Sequence, residues 1–249
     1  MRILVGHLYP EYLNIYADRG NIAVLGQRAA WRGLELEVRP IGLGEPSGRE
    51  IDLFYVGGGQ DREQGLIAPD LAARGPELAR AVAEGAALLA VCGGYQLLGR
   101  FYRDRAGVEL AGAGVFPLHT VAGDRRMIGD VLLECELERG VRRTLAGFEN
   151  HAGRTVLDPG AEPLGRVVAG FGNDGESGHE GVRVGRAIGT YLHGPLLPRN
   201  PWLADWLLAQ AAAHASGGEP PALAALPDAL EAEAHGVAAD RARARGGRW

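Results

Sequence analysis

The first half of the chain alternates short apolar runs with stretches of helical periodicity. The apolar runs predict buried β-strands at residues 2–6, 34–39, 51–57 and 86–91. Helical patterns lie between and after them, near residues 20–31, 70–84 and 94–102. Strands that alternate with helices favour a parallel sheet with helices on both faces. We therefore expect an α/β fold with a doubly wound, mostly parallel sheet.

Beyond residue 107 the pattern changes to short apolar segments punctuated by glycine, and it continues to residue 192. This pattern predicts an antiparallel extension, which returns to the sheet through a strand at residues 186–192. A helix is predicted next at about residues 200–213. Trp202, Trp206 and Leu207 recur there at helical spacing, which favours burial in the core over a ligand site.

The composition changes again at residue 216, first to SGGEPPALAALP and then to a run rich in Ala, Glu and Arg. Such a segment is typical of a flexible linker followed by a marginal helix in solvent. A docking segment for a partner is the alternative. We therefore divide the chain into a domain at residues 1–215 and a C-terminal tail at residues 216–249.

A cysteine stands where the strand at 86–91 meets the next helix, in AALLAVCGGYQ. Cys92 would project from a sharp turn at the carboxyl edge of the sheet, close to helix N–H groups that favour a thiolate. Gly93 and Gly94 permit the unusual backbone angles and close approach that such a turn requires. The alternative is a buried structural cysteine, but the glycines favour a nucleophile elbow.

A nucleophilic thiol needs a base, and His193 follows directly after the strand in RAIGTYLHGP, at an edge where site residues gather. His7 also follows a strand and could line the same cleft. For His151, in GFENHAGRT, a role in lining the site and a structural role are equally supported. The remaining histidines have no comparable context and are expected to be structural or exposed.

Three consecutive glycines end another apolar strand, in IDLFYVGGGQD. A loop of this kind can direct backbone N–H groups at an oxyanion, as acyl transfer requires. A phosphate-binding loop is disfavoured, because the pattern is neither GxGxxG nor a Walker motif. The chain also contains no lysine, which excludes Schiff-base chemistry as well as a P-loop lysine.

Composition narrows the class of protein without deciding it. A chain of 249 residues can hold one large α/β domain, and a net charge of -5 argues against general nucleic-acid binding. Two cysteines cannot form a disulfide framework, so a reducing compartment is expected. We recognise neither a signal peptide nor an apolar run of ~20 residues that could span a membrane. These features favour a cytoplasmic protein with no metal site.

Several motifs together resemble class I glutamine amidotransferase domains of the cobyric acid synthase-like branch, namely VCGGYQ, TYLHG and YVGGGQD. Further segments resemble the small glutaminase subunits of lipid II isoglutaminyl synthases: LYPEYLNIYADRGNIAVLGQRAAWRG, RRMIGD at 125–130, GFENHAGRT at 147–155 and TYLHGPLLPRNPWLADWLL. The resemblance covers about residues 2–213, and the motifs occur in the order found in that family.

The resemblance implies a role for each matching residue. Cys92 would attack the glutamine side-chain amide and His193 would act as its base. Gly58 or Gly59, together with Gly93, would supply the oxyanion N–H groups. Arg126 would bind the α-carboxylate of glutamine, and Gln96 matches a position that contacts glutamine in the family. Asn150 and His151 lie in a motif shared with the family but have no assigned role.

The family's activity implies that ammonia passes to a Mur-ligase-like partner, which binds ATP and Mg²⁺ and amidates D-glutamate of the lipid II stem peptide. The membrane would be reached only through that substrate.

One departure from the usual triad is clear, because Pro195 occupies the position of a glutamate two residues after the histidine. Asp205 follows later, on the predicted helix. We therefore expect a partner subunit to supply the missing carboxylate, leaving the isolated chain a weak glutaminase.

Three other functions remain open at this point. The first is the amidotransferase half of a cobyrinate-type enzyme, which would normally be fused to a P-loop synthetase. The second is a cysteine hydrolase or peptidase that does not prefer glutamine. The third is a scaffold without catalysis. Retention of both Cys92 and His193 argues against it, whereas Pro195 in place of the triad glutamate keeps it open.

Overall fold

A computed structural model describes residues 1–15, 19–48 and 50–245. Residues 16–18 of the N-terminal motif and the last four residues of the expected tail lie outside this part of the chain. In chain order the elements are β1 (Arg2–Leu8), α1 (Arg19–Ala30), β2 (Glu35–Ile41), β3 (Leu53–Val56), α2 (Asp61–Ala83), β4 (Ala87–Val91), α3 (Gly93–Leu97), β5 (Phe101–Arg103), β6 (Glu109–Ala111), β7 (Leu118–Glu138), β8 (Val141–Leu157), β9 (Gly165–Ala169), β10 (His179–Glu180), β11 (Val182–Val184), β12 (Ala187–Thr190), α4 (Leu196–Arg199), α5 (Pro201–Ser216) and α6 (Ala229–Arg245).

The first sheet has the expected mostly parallel architecture. Its strand order is β11-β12-β4-β3-β1-β2, and only β11 runs antiparallel to its neighbour. The two strands β3 and β4 are buried along their whole length, as near-continuous apolar runs in a covered parallel sheet require. The carboxyl ends of β3, β4 and β12 therefore meet at one edge, where loops can form a site.

The second sheet is the expected antiparallel extension, but its main strands are longer than the sequence predicts. It has the order β10-β9-β7-β5-β6, and β8 pairs with β7 in a hairpin of 21 and 17 residues. Several glycines lie inside the strands rather than between them. A Cβ on Gly147 would lie 2.9 Å from Leu192 Cγ, so this glycine permits close packing of the two sheets and does not end a strand.

The helix predicted at residues 94–102 is also shorter in the structure. It ends at Leu97, and the chain joins the second sheet through an N–H of Arg100 that donates to Leu118 O at 2.8 Å. The N–H of Gly112 donates to Arg100 O at the same distance. These sheet hydrogen bonds replace the further helical turns that the apolar spacing predicts.

The end of the chain differs from the expected solvated tail. Helix α6 packs against the second sheet, and its Ala238, Ala239 and Ala242 are buried against Leu132, Ala146 and Ala169. Arg241 also donates to Asp130 at 2.6 Å. Small side chains allow the helix to lie close to the strands, so residues 229–245 belong to the folded body described here.

Candidate active site

Cys92 occupies the sharp turn between β4 and α3. Its backbone angles are φ 48° and ψ −104°, a strained conformation for a residue with a side chain. The N–H of Gln96 donates to Cys92 O at 3.0 Å and closes the first turn of α3. The cysteine is 6% exposed and borders a cavity. This is the geometry of a nucleophile elbow, in which strain presents the side chain above the sheet.

The glycine loop after β3 lies directly against the elbow. The N–H of Gly94 donates to Gly57 O at 3.1 Å, and a Cβ on Gly93 would be 2.9 Å from the nitrogen of Gly59. Only glycines permit this approach of two backbones. The nitrogen of Gly59 thus lies beside the elbow. Gly58 is held from the other side, because its carbonyl accepts a hydrogen bond from Ile15 N at 3.3 Å.

His193 follows the strand next to the elbow. Strands β4 and β12 pair in parallel with Val91 opposite Thr190, and Cys92 N donates to Thr190 O at 2.8 Å. Reciprocal backbone hydrogen bonds of 2.8 and 3.2 Å then tie His193 to Phe148 of β8. The first sheet therefore brings the two catalytic candidates to one edge.

The imidazole of His193 is completely buried. Burial, followed by the positive charges of His151 and Arg126, lowers its pKa to about 3. His193 is therefore neutral at physiological pH and can accept a proton, but in these surroundings it would hold that proton only weakly. A carboxylate beside the ring would stabilise the cation formed when the base accepts a proton.

A cavity of about 680 Å³ opens above the elbow. Most of the substrate-site candidates line it together with residues from α2 and β5; among the lining residues are Gly59, Asp61, Gln64, Cys92, Gln96, Tyr102, Arg126, Asn150 and His151. Asp61 is the sole carboxylate of this lining within the described ranges. The cavity is large enough for an amino acid the size of glutamine, and it presents both a cation and an anion.

Arg126 reaches the cavity from an irregularity in β7. The pairing of β7 with β8 shifts register between Ala122 and Met127, so the intervening residues leave the regular ladder. The guanidinium donates from Nε to Asn150 Oδ1 at 2.9 Å and from Nη2 to Asn150 O at 3.1 Å. Asn150 thus orients Arg126 at the cavity. This contact connects the motif RRMIGD, which contains Arg126, with the motif GFENHAGRT, which contains Asn150.

Gln96 is held by protein partners as well as facing the cavity. Its Nε2 donates to Tyr191 Oη at 3.1 Å, and its Oε1 accepts from Gln64 Nε2 at 2.9 Å. Gln64 also donates to Gly93 O at 3.2 Å. Gln96 therefore connects the elbow to α2 and to the residue that follows β12. Sequence reasoning missed Gln64, which lies three residues after the motif YVGGGQD, and Tyr191, which lies within the motif TYLHG.

His151 stacks on Tyr191 with ring centroids 3.5 Å apart and planes 4° from parallel. Its Nδ1 lies 2.9 Å from Gly153 O, and its Nε2 lies 3.6 Å from Glu149 Oε2. Glu149 is fully buried and accepts hydrogen bonds from the N–H groups of Phe171 and Gly172. Strand alternation at positions i and i+2 is the signal that could have placed Glu149 beside His151.

The two positions considered for a third catalytic group lie elsewhere or carry no carboxylate. A Cβ on Gly20 would be 2.8 Å from Pro195 Cγ, so Pro195 packs against the start of α1. Asp205 forms ion pairs of 2.6 Å with Arg28 and 2.8 Å with Arg32. His7 is buried against Tyr55, and burial followed by the charge of Arg19 lowers its pKa to about 4.

The described part of the chain holds neither a cluster of metal ligands nor a helix that could span a membrane. Within residues 1–15, 19–48 and 50–245 no three His, Cys, Asp or Glu side chains cluster in a way that would hold a metal ion. Over the same residues, none of the helices combines the length and apolar character needed to cross a bilayer.

Comparison with known proteins places these observations in a family. The model of the CobB/CobQ-like glutamine amidotransferase domain matches residues 4–201. Lipid II isoglutaminyl synthase (glutamine-hydrolyzing) subunit GatD of Staphylococcus aureus is 40% identical over 212 residues, covering 84% of each chain. The corresponding subunit of Streptococcus pneumoniae is 39% identical over 209 residues, covering 83% of this chain and 79% of the relative.

A more distant relative and a solved structure also match this domain. A cobyric acid synthase of Synechococcus is 31% identical over 180 residues, which are 69% of this chain but 34% of that protein. The structure of PurLQS from Thermotoga maritima shares the fold with a TM-score of 0.56 at 16% identity, covering 87% of this chain and 99% of that one. The chain belongs to the CobB/CobQ-like glutamine amidotransferase domain family and is a glutamine amidotransferase.

Proposed function

We propose that this chain is the glutaminase subunit of a lipid II isoglutaminyl synthase. In this role it hydrolyses L-glutamine to glutamate and ammonia, and a Mur-ligase-like synthetase subunit uses the ammonia to amidate D-glutamate of the lipid II stem peptide. The observation that carries the glutaminase role is the strained Cys92 elbow beside the strand that leads to His193. The GatD relatives, matched over more than four fifths of this chain, support the acceptor.

The reaction begins when His193 removes the proton from the Cys92 thiol. The thiolate attacks the side-chain carbonyl carbon of glutamine, and the resulting oxyanion receives hydrogen bonds from N–H groups of the glycine loop and Gly93. The tetrahedral intermediate collapses as the protonated His193 gives its proton to the amide nitrogen, and ammonia leaves. His193 then takes a proton from water as the water attacks the thioester carbon, and the second tetrahedral intermediate collapses to glutamate with cleavage of the C–S bond. The protonated His193 returns its proton to the leaving sulfur, which restores the Cys92 thiol and the neutral imidazole.

Substrate orientation is assigned to Arg126. A guanidinium can bind a carboxylate with two parallel hydrogen bonds, and Asn150 already fixes its plane at the cavity. Gln96 donates to Tyr191 and so holds Tyr191 against the elbow, beneath the bound substrate. ATP and Mg²⁺ belong to the partner in this proposal, and no step on this chain uses them. The setting is cytoplasmic, with the membrane reached only through lipid II.

The partner also completes the catalytic centre. Burial disfavours the imidazolium form of His193, and Pro195 replaces the usual glutamate. A carboxylate from the synthetase would stabilise that cation and raise turnover. The isolated chain is therefore expected to be a weak glutaminase.

The test measures glutamate and ammonia release from L-glutamine by the full chain, alone and with the purified synthetase subunit from the same genome. Release should rise at least tenfold with the partner and should vanish in Cys92→Ala. Cys135→Ala is the matched control, because this second buried cysteine lies in β7, where burial raises its thiol pKa to about 12. Release that persists in Cys92→Ala would contradict the nucleophile, and equal rates with and without partner would contradict the shared centre.

A further inference from the structure

Helix α6 carries an apolar stripe on its outer face. Leu230 and Val237 are 74% and 63% exposed, which are the largest values for bulky apolar side chains in the described part of the chain. They are seven residues apart with Ala234 between them, so they lie along one face of the helix. Single exposed apolar residues are ordinary, but an aligned pair beside a groove is typical of an interaction surface.

This stripe borders a groove of about 350 Å³ between α4 and α6, which we call the α4–α6 groove. Its walls include Arg199, Leu230, Glu233, Ala234, Val237 and Arg241. The inner face of α6 is already used, since its buried alanines pack on the second sheet. The groove lies beside this packed face, along the part of the helix that carries the exposed Leu230 and Val237.

Arg199 brings a weakly compensated positive charge to this groove. Its Nη1 is buried and has no hydrogen-bond partner among the described residues. Burial and the charge of Arg241 lower the pKa of Arg199, whereas the charge of Asp130 raises it. Asp130 is shared with two other arginines, because it accepts from Arg241 at 2.6 Å and lies 3.8 Å from Arg245 Nη1. A half-buried guanidinium that shares its acid in this way would gain a charge-assisted hydrogen bond from an incoming carboxylate.

Arg199 also packs close to the segment that contains His193. A Cβ on Gly194 would lie 3.2 Å from Arg199 Nη1, and Gly194 directly follows His193. A molecule that binds Arg199 would therefore hold a side chain that packs on the residue after the catalytic base.

We propose that the α4–α6 groove docks the synthetase subunit, through a segment whose apolar side chains cover Leu230 and Val237 and whose carboxylate pairs with Arg199. This inference rests on the proposed function. A second copy of this chain is a poorer occupant, because a symmetric contact would face two patches that each hold two arginines and one glutamate.

The experiment titrates the purified synthetase subunit from the same genome into the full-length chain by calorimetry. Leu230→Asp and Val237→Asp place a charge on the stripe, and Arg199→Ala removes the guanidinium. Each should weaken binding at least tenfold. Leu66→Asp and Val108→Asp are matched controls, because both residues are 54% exposed but lie outside the groove. These controls should bind like wild type.

The outcomes separate the two proposals. If wild type binds but all three groove variants bind equally well, the groove proposal is overturned and the proposed function stands. If wild type does not bind the synthetase, both are overturned. The melting temperature of every variant is measured as well. Because Leu230 and Val237 are exposed, their aspartate variants should have the melting temperature of wild type, even if Arg199→Ala does not. A wild-type dimer in sedimentation that Leu230→Asp dissociates would make a second copy the occupant and overturn the proposal.

Discussion

The backbone N–H of Cys92 donates to the carbonyl of Thr190 at 2.8 Å, so the nucleophile elbow is attached to the strand that leads to His193. Buried Glu180 secures the same strand end, since it accepts hydrogen bonds from the Thr190 hydroxyl at 3.0 Å and from Tyr191 N at 2.6 Å. The spacing of nucleophile and base is thus set by backbone and buried polar contacts rather than by the side chains that react.

Glu180 should make stability depend on pH. Burial is the main reason that its pKa rises from 4.5 to about 8. The folded chain therefore keeps this proton at pH values where the unfolded chain has released it, and the free energy of unfolding decreases as pH rises from 4.5 through 8. Each unit of difference in pKa corresponds to about 1.4 kcal/mol. Glu180→Gln cannot ionise and should lack this loss.

Thermal melts of wild type and Glu180→Gln at pH 5 and pH 9 check this expectation. The variant should gain stability relative to wild type at the higher pH. Exposed Glu176 provides the matched control, and Glu176→Gln should follow wild type at both values. A constant difference between Glu180→Gln and wild type across the range would show that Glu180 is ionised in the folded protein.

Gly94 should tolerate no side chain. A Cβ there would lie 2.6 Å from Val56 Cγ1 and 2.7 Å from Gly57 O, and the second contact is with backbone that cannot rotate away. We expect Gly94→Ala to lower stability by about 1–3 kcal/mol, as overpacking does, and to abolish glutaminase activity by moving the oxyanion loop. Denaturant titration and glutamine turnover measure the two effects.

Gly65 supplies the matched control for Gly94, because it lies in α2 and a Cβ added there would meet no atom within 4 Å. Gly65→Ala should raise stability by up to ~1 kcal/mol, since alanine is the better helix former. Equal effects of the two substitutions would contradict a close approach at the elbow.

Arg126 should act mainly on substrate affinity. Losing a charged hydrogen-bond pair to a carboxylate costs about 1.5–3 kcal/mol, so Arg126→Ala should raise KM for glutamine by roughly 10- to 100-fold. Arg126→Lys should recover only part of this, because an ammonium cannot form the bidentate pair. The neighbouring exposed Arg125 does not line the cavity, and Arg125→Ala should leave KM unchanged. Steady-state kinetics in the complex with the synthetase decide between these outcomes, and an unchanged KM in Arg126→Ala would remove it from the substrate site.

Local sequence signals were sufficient for the parallel sheet and for the elbow. Cys92 stands between a continuous apolar run and two glycines, so its turn could be read from adjacent residues. Arg126 could not be placed in this way, because its position depends on a register shift between two long strands. The glycines inside those strands also resembled strand ends, although Gly147 serves close packing against Leu192.

The C-terminal helix was harder to interpret for a different reason. Alanines have too little apolar contrast to mark a buried face, so residues 229–245 resembled a solvated segment. Their packing depends on a complementary surface of Leu132, Ala146 and Ala169, which lies far away in sequence. Tertiary fit of this kind cannot be read from the helix alone.

Ala242 tests whether α6 is an integral part of the fold. Its side chain is completely buried, whereas Ala232 on the same helix is exposed. Ala242→Leu forces extra methyl groups between helix and sheet and should lower stability by about 1–3 kcal/mol. Ala232→Leu makes the same chemical change in solvent and should shift stability by less than about 0.5 kcal/mol. Urea denaturation of both variants measures the difference, and equal midpoints would mean that α6 is detached from the sheet in solution.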